Sequence, residues 1–308
     1  MIIKEIVKSI LKTFHLFNLV RRIYLYLKGI TVGKHIVSLI ISQYANSECS
    51  DDEQSFINFL KANEDKISRM FNGTNIYLFI FANDFVYDYF NKNYEVHFFE
   101  DMPYLDYRGK KLFMPVEWTI PQMVNYVRGI DIEQDSRSPH CYFPEKVNLD
   151  NKVLVDVGGA EGNFAIEFIE QIKFLYIFET DKKWMKPLNY TYRKWNSKVK
   201  IIEHLVGDGT NNTIKLDDCF SECDQIDYIK MDVEGFEKDV IIGAANILSK
   251  FKKLILLVCV YHYDKQERDV VNLLKDYKLE FRKGRMWFPN LKDHSNKLLR
   301  HCLLEASK

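Results

Sequence analysis

The sequence predicts an α/β fold, a doubly wound parallel sheet preceded by an α+β N-terminal region, and three observations carry that prediction. The first is Val153–Phe164, VLVDVGGAEGNF: an apolar run ends in Asp156, passes through Gly158, Gly159 and Gly162, and enters the helix-like AIEFIEQI. This is the strand, tight turn and helix of a nucleotide-binding first unit. The second is KFLYIFE, a buried strand ending in Glu179, close to the ~20-residue spacing at which a ribose-binding carboxylate follows such a turn. The third is the regular alternation that continues to the C-terminus, in which apolar runs end in Asp156, Glu179, Asp208, Asp232 and His262. Ligands of doubly wound sheets bind beyond the carboxyl ends of the strands, where these five side chains lie.

Taken in order, residues 1–45 place Ile3, Ile6, Val7, Ile10, Leu11, Phe14, Phe17 and Val20 at helical spacing. Lys4, Lys8, Lys12, Arg21, Arg22, Lys28 and Lys34 face only Glu5, which makes this a basic amphipathic helix. Lysines every four residues interrupt the ~20-residue apolar run that a membrane span needs, so neither a span nor a signal peptide is expected. Packing against the domain or a second subunit is the first reading of residues 1–30, and peripheral contact with an anionic membrane surface is the second. A polar segment, 46–55, reads as a linker. The α+β region, 46–137, offers a helix over Glu53–Met70, two strands at NIYLFIFA and YEVHFFE, then KKLFMP, a helix at IPQMVNYVRG and the polar link DIEQDSRS. It has no chemical motif; its expected role is to cap the cofactor domain and shape an acceptor cleft, or to be structural.

The third region, 138–308, opens with Ser138-Pro139-His140-Cys141-Tyr142-Phe143 and the glycine turn. After Glu179 come a helix over Lys182–Trp195, strand KVKIIEHLV, a turn at Gly207-Asp208-Gly209, IKLDDCF, strand QIDYIKM, helix EGFEKDVIIGAANILSKF, strand KLILLVCVY and helix QERDVVNLLKDY. Asp208 is equally readable as a turn residue, and Asp232 as a helix N-cap with Glu234 favouring the helix dipole.

The 308 residues are 47% hydrophobic and 28% charged with a formal charge of zero, so the chain lacks the basic excess of a nucleic-acid binder and none is expected as a partner. Its six cysteines form no C-x-x-C pair, which suits a reducing compartment and a cytoplasmic protein. Charge also selects the nucleotide. Dinucleotides set a pyrophosphate at the helix N-terminus, where Asp156 and Glu161 would repel it, whereas S-adenosylmethionine carries no phosphate and presents an ammonium and a sulfonium.

VLVDVGGAEGNF, YIFE, LDDCF, YIKMDVEGFEKDVIIGA and VCVYHYD together resemble the FkbM family of S-adenosylmethionine-dependent methyltransferases, over roughly Ser138 to the C-terminus. SPHCYFP is similar to a segment of members associated with surface-polysaccharide gene clusters. The resemblance implies a seven-stranded, Rossmann-like class I methyltransferase sheet and O-methylation, most often of a sugar hydroxyl, so the expected partner is a sugar or glycan acceptor. One departure is Ala160, which stands where the middle glycine of the usual turn would be and is expected to narrow the turn slightly.

Position and chemistry then suggest roles. Asp156 and the turn Gly158, Gly159, Glu161, Gly162 and Asn163 would hold the methionine end of the donor, Glu179 the ribose and Asp208 the adenine amino group. Trp184 is either an adenine-stacking ring or core. Asp232 or His262 is the candidate base that removes the hydroxyl proton, His262 because an ordinary imidazole accepts a proton at neutral pH. An alternative sets Mg2+ on Asp232 and Glu234 to acidify the hydroxyl. Two rivals share the fold: a dinucleotide oxidoreductase and a non-catalytic scaffold of a glycan-assembly complex.

Overall fold

The computed structural model describes residues 34–44, 48–69, 80–263, 265–287 and 299–308. Most of the expected basic helix and of NIYLFIFA lies outside these residues. The chain divides by contact into two compact units, Met1–Phe90 and Asn91–Lys308. In the first, helix α1 (34–43) and helix α2 (Asp51–Arg69) bury Val37, Ile40, Phe56, Ile57 and Leu60. The start of α2 is a capping box within the segment expected as linker: the Ser50 amide and hydroxyl donate to Glu53 Oε2 at 2.9 and 3.0 Å, and the Glu53 amide donates back to Ser50 Oγ at 3.3 Å.

The second unit begins well before Ser138. An antiparallel sheet of β1 (Val96–Phe99), β2 (Met102–Tyr107) and β3 (Lys110–Phe113) precedes helix α3 (Ile120–Glu133). These elements join the larger sheet through side chains: the Phe113 amide donates to Thr191 Oγ1 at 3.1 Å, and Lys110 pairs with Glu170 at 2.5 Å. That is why the compact unit starts at Asn91 rather than near Ser138. Thr119 and Gln122 cap α3, with the Thr119 amide donating to Gln122 Oε1 at 2.8 Å, and the helix runs on into the expected polar link.

The main sheet contains β4 (Val153–Val157), β5 (Phe174–Phe178), β6 (Val199–Ile202), β7 (Tyr228–Met231), β8 (Ile255–Cys259), β9 (Lys278–Phe281) and β12 (Leu303–Ser307), in the order β6-β5-β4-β7-β8-β12-β9. Two shorter strands, β10 (Met286–Trp287) and β11 (Leu299–Arg300), pair separately. The expected seven-stranded, doubly wound arrangement is present. The expectation of a wholly parallel sheet is corrected at one strand: β12 enters between β8 and β9 antiparallel to both. The central strands are apolar on both faces because both are covered; every residue of β4 is buried. Among the described residues no helix is long and apolar enough to cross a membrane.

Two crossover helices are shorter than their apolar spacing suggests. The helix after the glycine turn, α4, covers only Asn163–Ile166. The long helix expected from Glu234 splits into α7 (Glu237–Ile242) and α8 (Ala245–Lys250) around Gly243. A Cβ on Gly243 would fall 1.9 Å from the Gly207 carbonyl oxygen, so the chain breaks where two backbones meet.

Candidate active site

The glycine turn is a close backbone packing. Gly158 and Gly162 are left-handed (φ 80° and 85°), and a Cβ on Gly158 would lie 1.9 Å from the Asp232 carbonyl oxygen. A Cβ on Gly159 would lie 2.2 Å from Ile177, and the Tyr192 hydroxyl donates to the Gly162 carbonyl at 2.5 Å. Ala160 is also left-handed, at φ 41°, so its cost is backbone strain rather than the narrowing expected from its methyl group.

Glu179 ties this turn to the next. Its Oε2 accepts from the Ala160 amide at 2.7 Å, and its Oε1 accepts from the Thr180 and Asp181 amides at 2.6 and 2.7 Å. A carboxylate offers about four acceptor positions, so Glu179 both shapes the cradle and retains capacity for a hydroxyl. Replacing Glu179 with Ala is expected to weaken S-adenosylhomocysteine binding by about 1.5 to 3 kcal/mol, the scale of hydrogen bonds to a charged group. Replacing it with Gln, whose amide oxygen still accepts, should cost less. Calorimetric titration of the two variants checks the order, and an affinity unchanged from the parent's in folded Glu179→Ala would remove Glu179 from the donor site.

Asp156 is 1% exposed at the end of β4, and its cross-strand partner on β7 is Lys230. Lys230 Nζ lies 2.9 Å from Asp156 Oδ1 and donates to the Gly158 carbonyl at 2.5 Å. Burial pushes the Asp156 carboxyl up while Lys230 opposes the shift. Glu161, 3% exposed, accepts from the Tyr126 hydroxyl at 2.5 Å and is pushed up to about 7 by burial. The turn is therefore less anionic than Asp156 and Glu161 suggest as letters, which corrects the charge argument against a pyrophosphate. What replaces it is length: α4 has 4 residues, too few to build the aligned dipole that a phosphate uses.

Trp184 is 4% exposed and packs edge-on against Trp118, with ring centroids 5.3 Å apart, and against Tyr126 at 5.4 Å. Its ring is thus committed to an aromatic cluster that carries Tyr126 to Glu161. Asp208 is not at a strand end, since β6 stops at Ile202. Its Oδ1 accepts from the Thr210 amide at 2.9 Å and hydroxyl at 2.6 Å, which makes it a turn residue and holds its carboxyl below the usual range.

The side expected to take the acceptor is organised around Asp232. Its amide donates to the Val157 carbonyl at 3.0 Å, so it leaves β7 beside the glycine turn. His262 Nε2 lies 3.3 Å from Asp232 Oδ1, and His262 Nδ1 lies 3.1 Å from Glu237 Oε1. Glu237 is fully buried and also receives the Val233 amide at 2.9 Å and the Gln266 amide group. Burial lowers the His262 pKa, but the two carboxylates outweigh it and bring the value up to about 10. An imidazole held between two carboxylates favours its protonated form, which has no lone pair to give, so the arrangement favours Asp232 over His262 as the base. Burial raises the Asp232 pKa, yet His262 and Lys230 hold its carboxyl well below the usual range. Glu133, at the end of α3, is pushed up to about 8 by burial and by Asp232 and Glu161.

The expected metal pair is not brought together as a cage. Glu234 is 89% exposed, with its carboxylate 3.7 Å from His262 Nε2, and belongs to neither of the two side-chain groups, among the described residues, whose spacing could hold an ion. In one of these, Asp232, Glu237 and His262, the carboxylates face different ring nitrogens. In the other, His140, Asp232 and Cys259, the Tyr261 hydroxyl is hydrogen-bonded to both His140 and Asp232. The donor sets are hydrogen-bonded clusters, and no step is assigned to Mg2+.

Lys230, Glu237, Gln266, Tyr126, Tyr142 and Tyr261 were not singled out by their sequence positions. A lysine inside an apolar strand, as in YIKM, was the one signal present, because buried lysines require a partner.

The model of the methyltransferase FkbM domain matches residues 206–290. No curated protein matches the chain. Among solved structures, the methyltransferase FkbM from Methylobacillus flagellatus KT is 19% identical with a TM-score of 0.44, over 59% of this chain and 52% of that one. The chain therefore spans about half the length of that protein. Precorrin-6y C5,15-methyltransferase from Geobacter metallireducens GS-15 is 13% identical over 52% of this chain and 82% of that one, with a TM-score of 0.35. Aeropyrum pernix fibrillarin, solved with S-adenosyl-L-methionine bound, is 13% identical over 52% and 69%, with a TM-score of 0.36. This chain thus carries an FkbM-type methyltransferase domain match over the half of the sheet that holds Asp232, Glu237 and His262.

Proposed function

We propose that the protein is an S-adenosylmethionine-dependent O-methyltransferase acting on a hydroxyl of a sugar or glycan intermediate. The observation that carries this reading is the contact between the glycine turn and Asp232, whose backbones are so close that Gly158 admits no side chain. A donor held by the turn and by Glu179 would therefore present its reactive end beside the Asp232 carboxylate. The residues fit the donor: left-handed Gly158 and Gly162 open the backbone, and Glu179 offers a hydroxyl-accepting carboxylate.

When bound, the donor supplies an electrophilic methyl group. The chain then has two tasks, to align the acceptor oxygen and to take its proton. Asp232 is suited to both. A hydroxyl oxygen that gains a methyl group becomes a far stronger acid than any carboxylic acid, so a carboxylate of low basicity suffices to receive the proton late in the reaction. His262 keeps Asp232 anionic and oriented rather than competing for that proton.

The rim beyond Asp232 favours a polyol. Glu234 is held in a left-handed conformation at φ 53° with its carboxylate exposed, and Phe236 is 45% exposed beside it. Carboxylates accept from hydroxyls, and an aromatic face covers the apolar C–H face of a sugar ring. Mass spectrometry of surface glycans from cells with and without the gene tests the reading. Loss of one methyl group per repeat is expected; an unaltered glycan beside an altered lipid or peptide would overturn the acceptor class.

A further inference from the structure

Three side chains leading to Asp232 have hydrogen-bond directions that can be worked out from the far end. The Tyr142 amide donates to Gln134 Oε1 at 3.1 Å, which fixes the orientation of the Gln134 amide and leaves its Nε2 as a donor. That nitrogen lies 3.4 Å from His140 Nδ1 and 3.5 Å from the His140 carbonyl. His140 is 4% exposed, and burial lowers its pKa to about 4, so the ring is neutral and has one N–H and one lone pair. With Nδ1 facing a donor, the hydrogen is on Nε2. Nε2 lies 3.2 Å from the Tyr261 oxygen, which accepts, and the Tyr261 hydroxyl then donates to Asp232 Oδ1 at 3.3 Å.

We propose that His140 and Tyr261 are positioning residues for Asp232, the middle links of a one-way hydrogen-bond chain running Gln134 to His140 to Tyr261 to Asp232. Its chemistry is orientation. Each donor is set by the one before it, and aligned donors polarise one another in a low-dielectric interior. The chain ends on Oδ1, while the Tyr142 hydroxyl, also from the SPHCYFP run, donates to Oδ2 at 3.5 Å. Residues far apart in sequence are thereby used to hold one carboxylate: Gln134 at the end of α3, His140 and Tyr142 ahead of β4, and Tyr261 after β8. Of the charged and titratable neighbours from the other elements, His262 Nε2 meets the same Oδ1 directly at 3.3 Å, Cys259 Sγ lies 3.8 Å from His140 Nε2, and Lys230, Glu133 and Asp156 act on Asp232 through space.

The inference rests on the proposed reaction only for what Asp232 does, so its test reads the chain directly. Full-length protein labelled with 15N-histidine is examined by NMR at neutral pH, with the His140 signals assigned by their disappearance in His140→Gln. The expected result is a neutral His140 with its hydrogen on Nε2, and a redistribution toward Nδ1–H in Gln134→Leu. A cationic ring or an Nδ1–H ring in the unaltered protein would overturn the proposal, whatever the acceptor proves to be. With an acceptor in hand, Tyr261→Phe and His140→Leu should each lower kcat about 10- to 100-fold while leaving the Kd for S-adenosylhomocysteine within about twofold. His140→Gln, whose amide can still donate to Tyr261, should recover most of the loss. Unchanged kcat in folded Tyr261→Phe, or failure of His140→Gln to exceed His140→Leu, would reduce the cluster to packing. Methylation of a different acceptor class with the NMR result intact would overturn the glycan reading alone.

Discussion

Lys230→Met is expected to destabilise the sheet domain by about 3 to 5 kcal/mol, the largest stability effect of any single change considered, because it leaves the Asp156 charge buried without its partner. The Lys230 side chain is 5% exposed and that of Asp156 2%, so water cannot replace the lost ammonium. For a domain of this size each kcal/mol lowers Tm by roughly 2 to 4 °C, which makes the deficit easy to read in a thermal melt. The sign of its pH dependence follows from Asp156. Burial already pushes that carboxyl up, and without Lys230 the shift grows. A carboxyl whose folded pKa lies above its unfolded value costs stability only where the unfolded chain has lost the proton. The deficit of Lys230→Met should therefore be small below about pH 4, near the ordinary aspartate value, and grow as pH rises toward the raised folded value. Asp156→Leu combined with Lys230→Met should recover much of the stability, because a paired charge replaced on both sides leaves none uncompensated. A single variant as stable as the parent at pH 7 would mean that Asp156 is not held as an ion.

This pair also marks where the sequence could and could not be read. Asp156 was visible, because it interrupts an apolar strand just before a glycine turn. Lys230 was equally conspicuous inside YIKM, but its partner depends on β7 lying next to β4 in register, and a crossover connection sets that adjacency. The same distinction runs through the site. The glycine turn and the polar ends of β4, β5 and β7 follow local rules and stand where the sequence puts them, whereas Asp208, six residues beyond β6, does not end a strand. The antiparallel insertion of β12 follows no local rule, because KLLRHCLLEASK has the alternating and apolar positions of any strand and no local signal of direction. Helix lengths failed where tertiary contact overrode periodicity, as at Gly243. The state of His262 is hidden for a further reason: an imidazole alone titrates near neutrality, and only the convergence of Asp232 and Glu237 on its two nitrogens raises its pKa. Charge in a folded site belongs to the cluster, and clusters are assembled across the sheet.

Asp232→Asn is expected to have the largest effect on turnover, a fall of roughly 10² to 10⁴ in kcat, the scale of losing a positioned proton acceptor. Donor affinity should stay within about twofold, because it is the Asp232 backbone that meets the glycine turn, while the side chain is assigned to the proposed acceptor side. Asn keeps the size and one acceptor oxygen, so the experiment separates charge from shape. His262→Gln should do less harm than Asp232→Asn, since His262 acts through Asp232, whereas a histidine base would make the two losses comparable. The pH dependence distinguishes these accounts again. An ordinary histidine base gives a rate that rises through about pH 6.5. With its pKa raised to about 10, His262 instead remains charged through neutrality and contributes no rising limb there. Its ion pairs stabilise the fold fully below the ordinary value of 6.5, and that contribution declines between 6.5 and about 10 as the ring loses its proton. Stability measured against pH in the parent and in His262→Gln should converge at the alkaline end of this window. A histidine-range limb in kcat that vanishes in His262→Gln would return the base to His262 and leave Asp232 as its orienting partner.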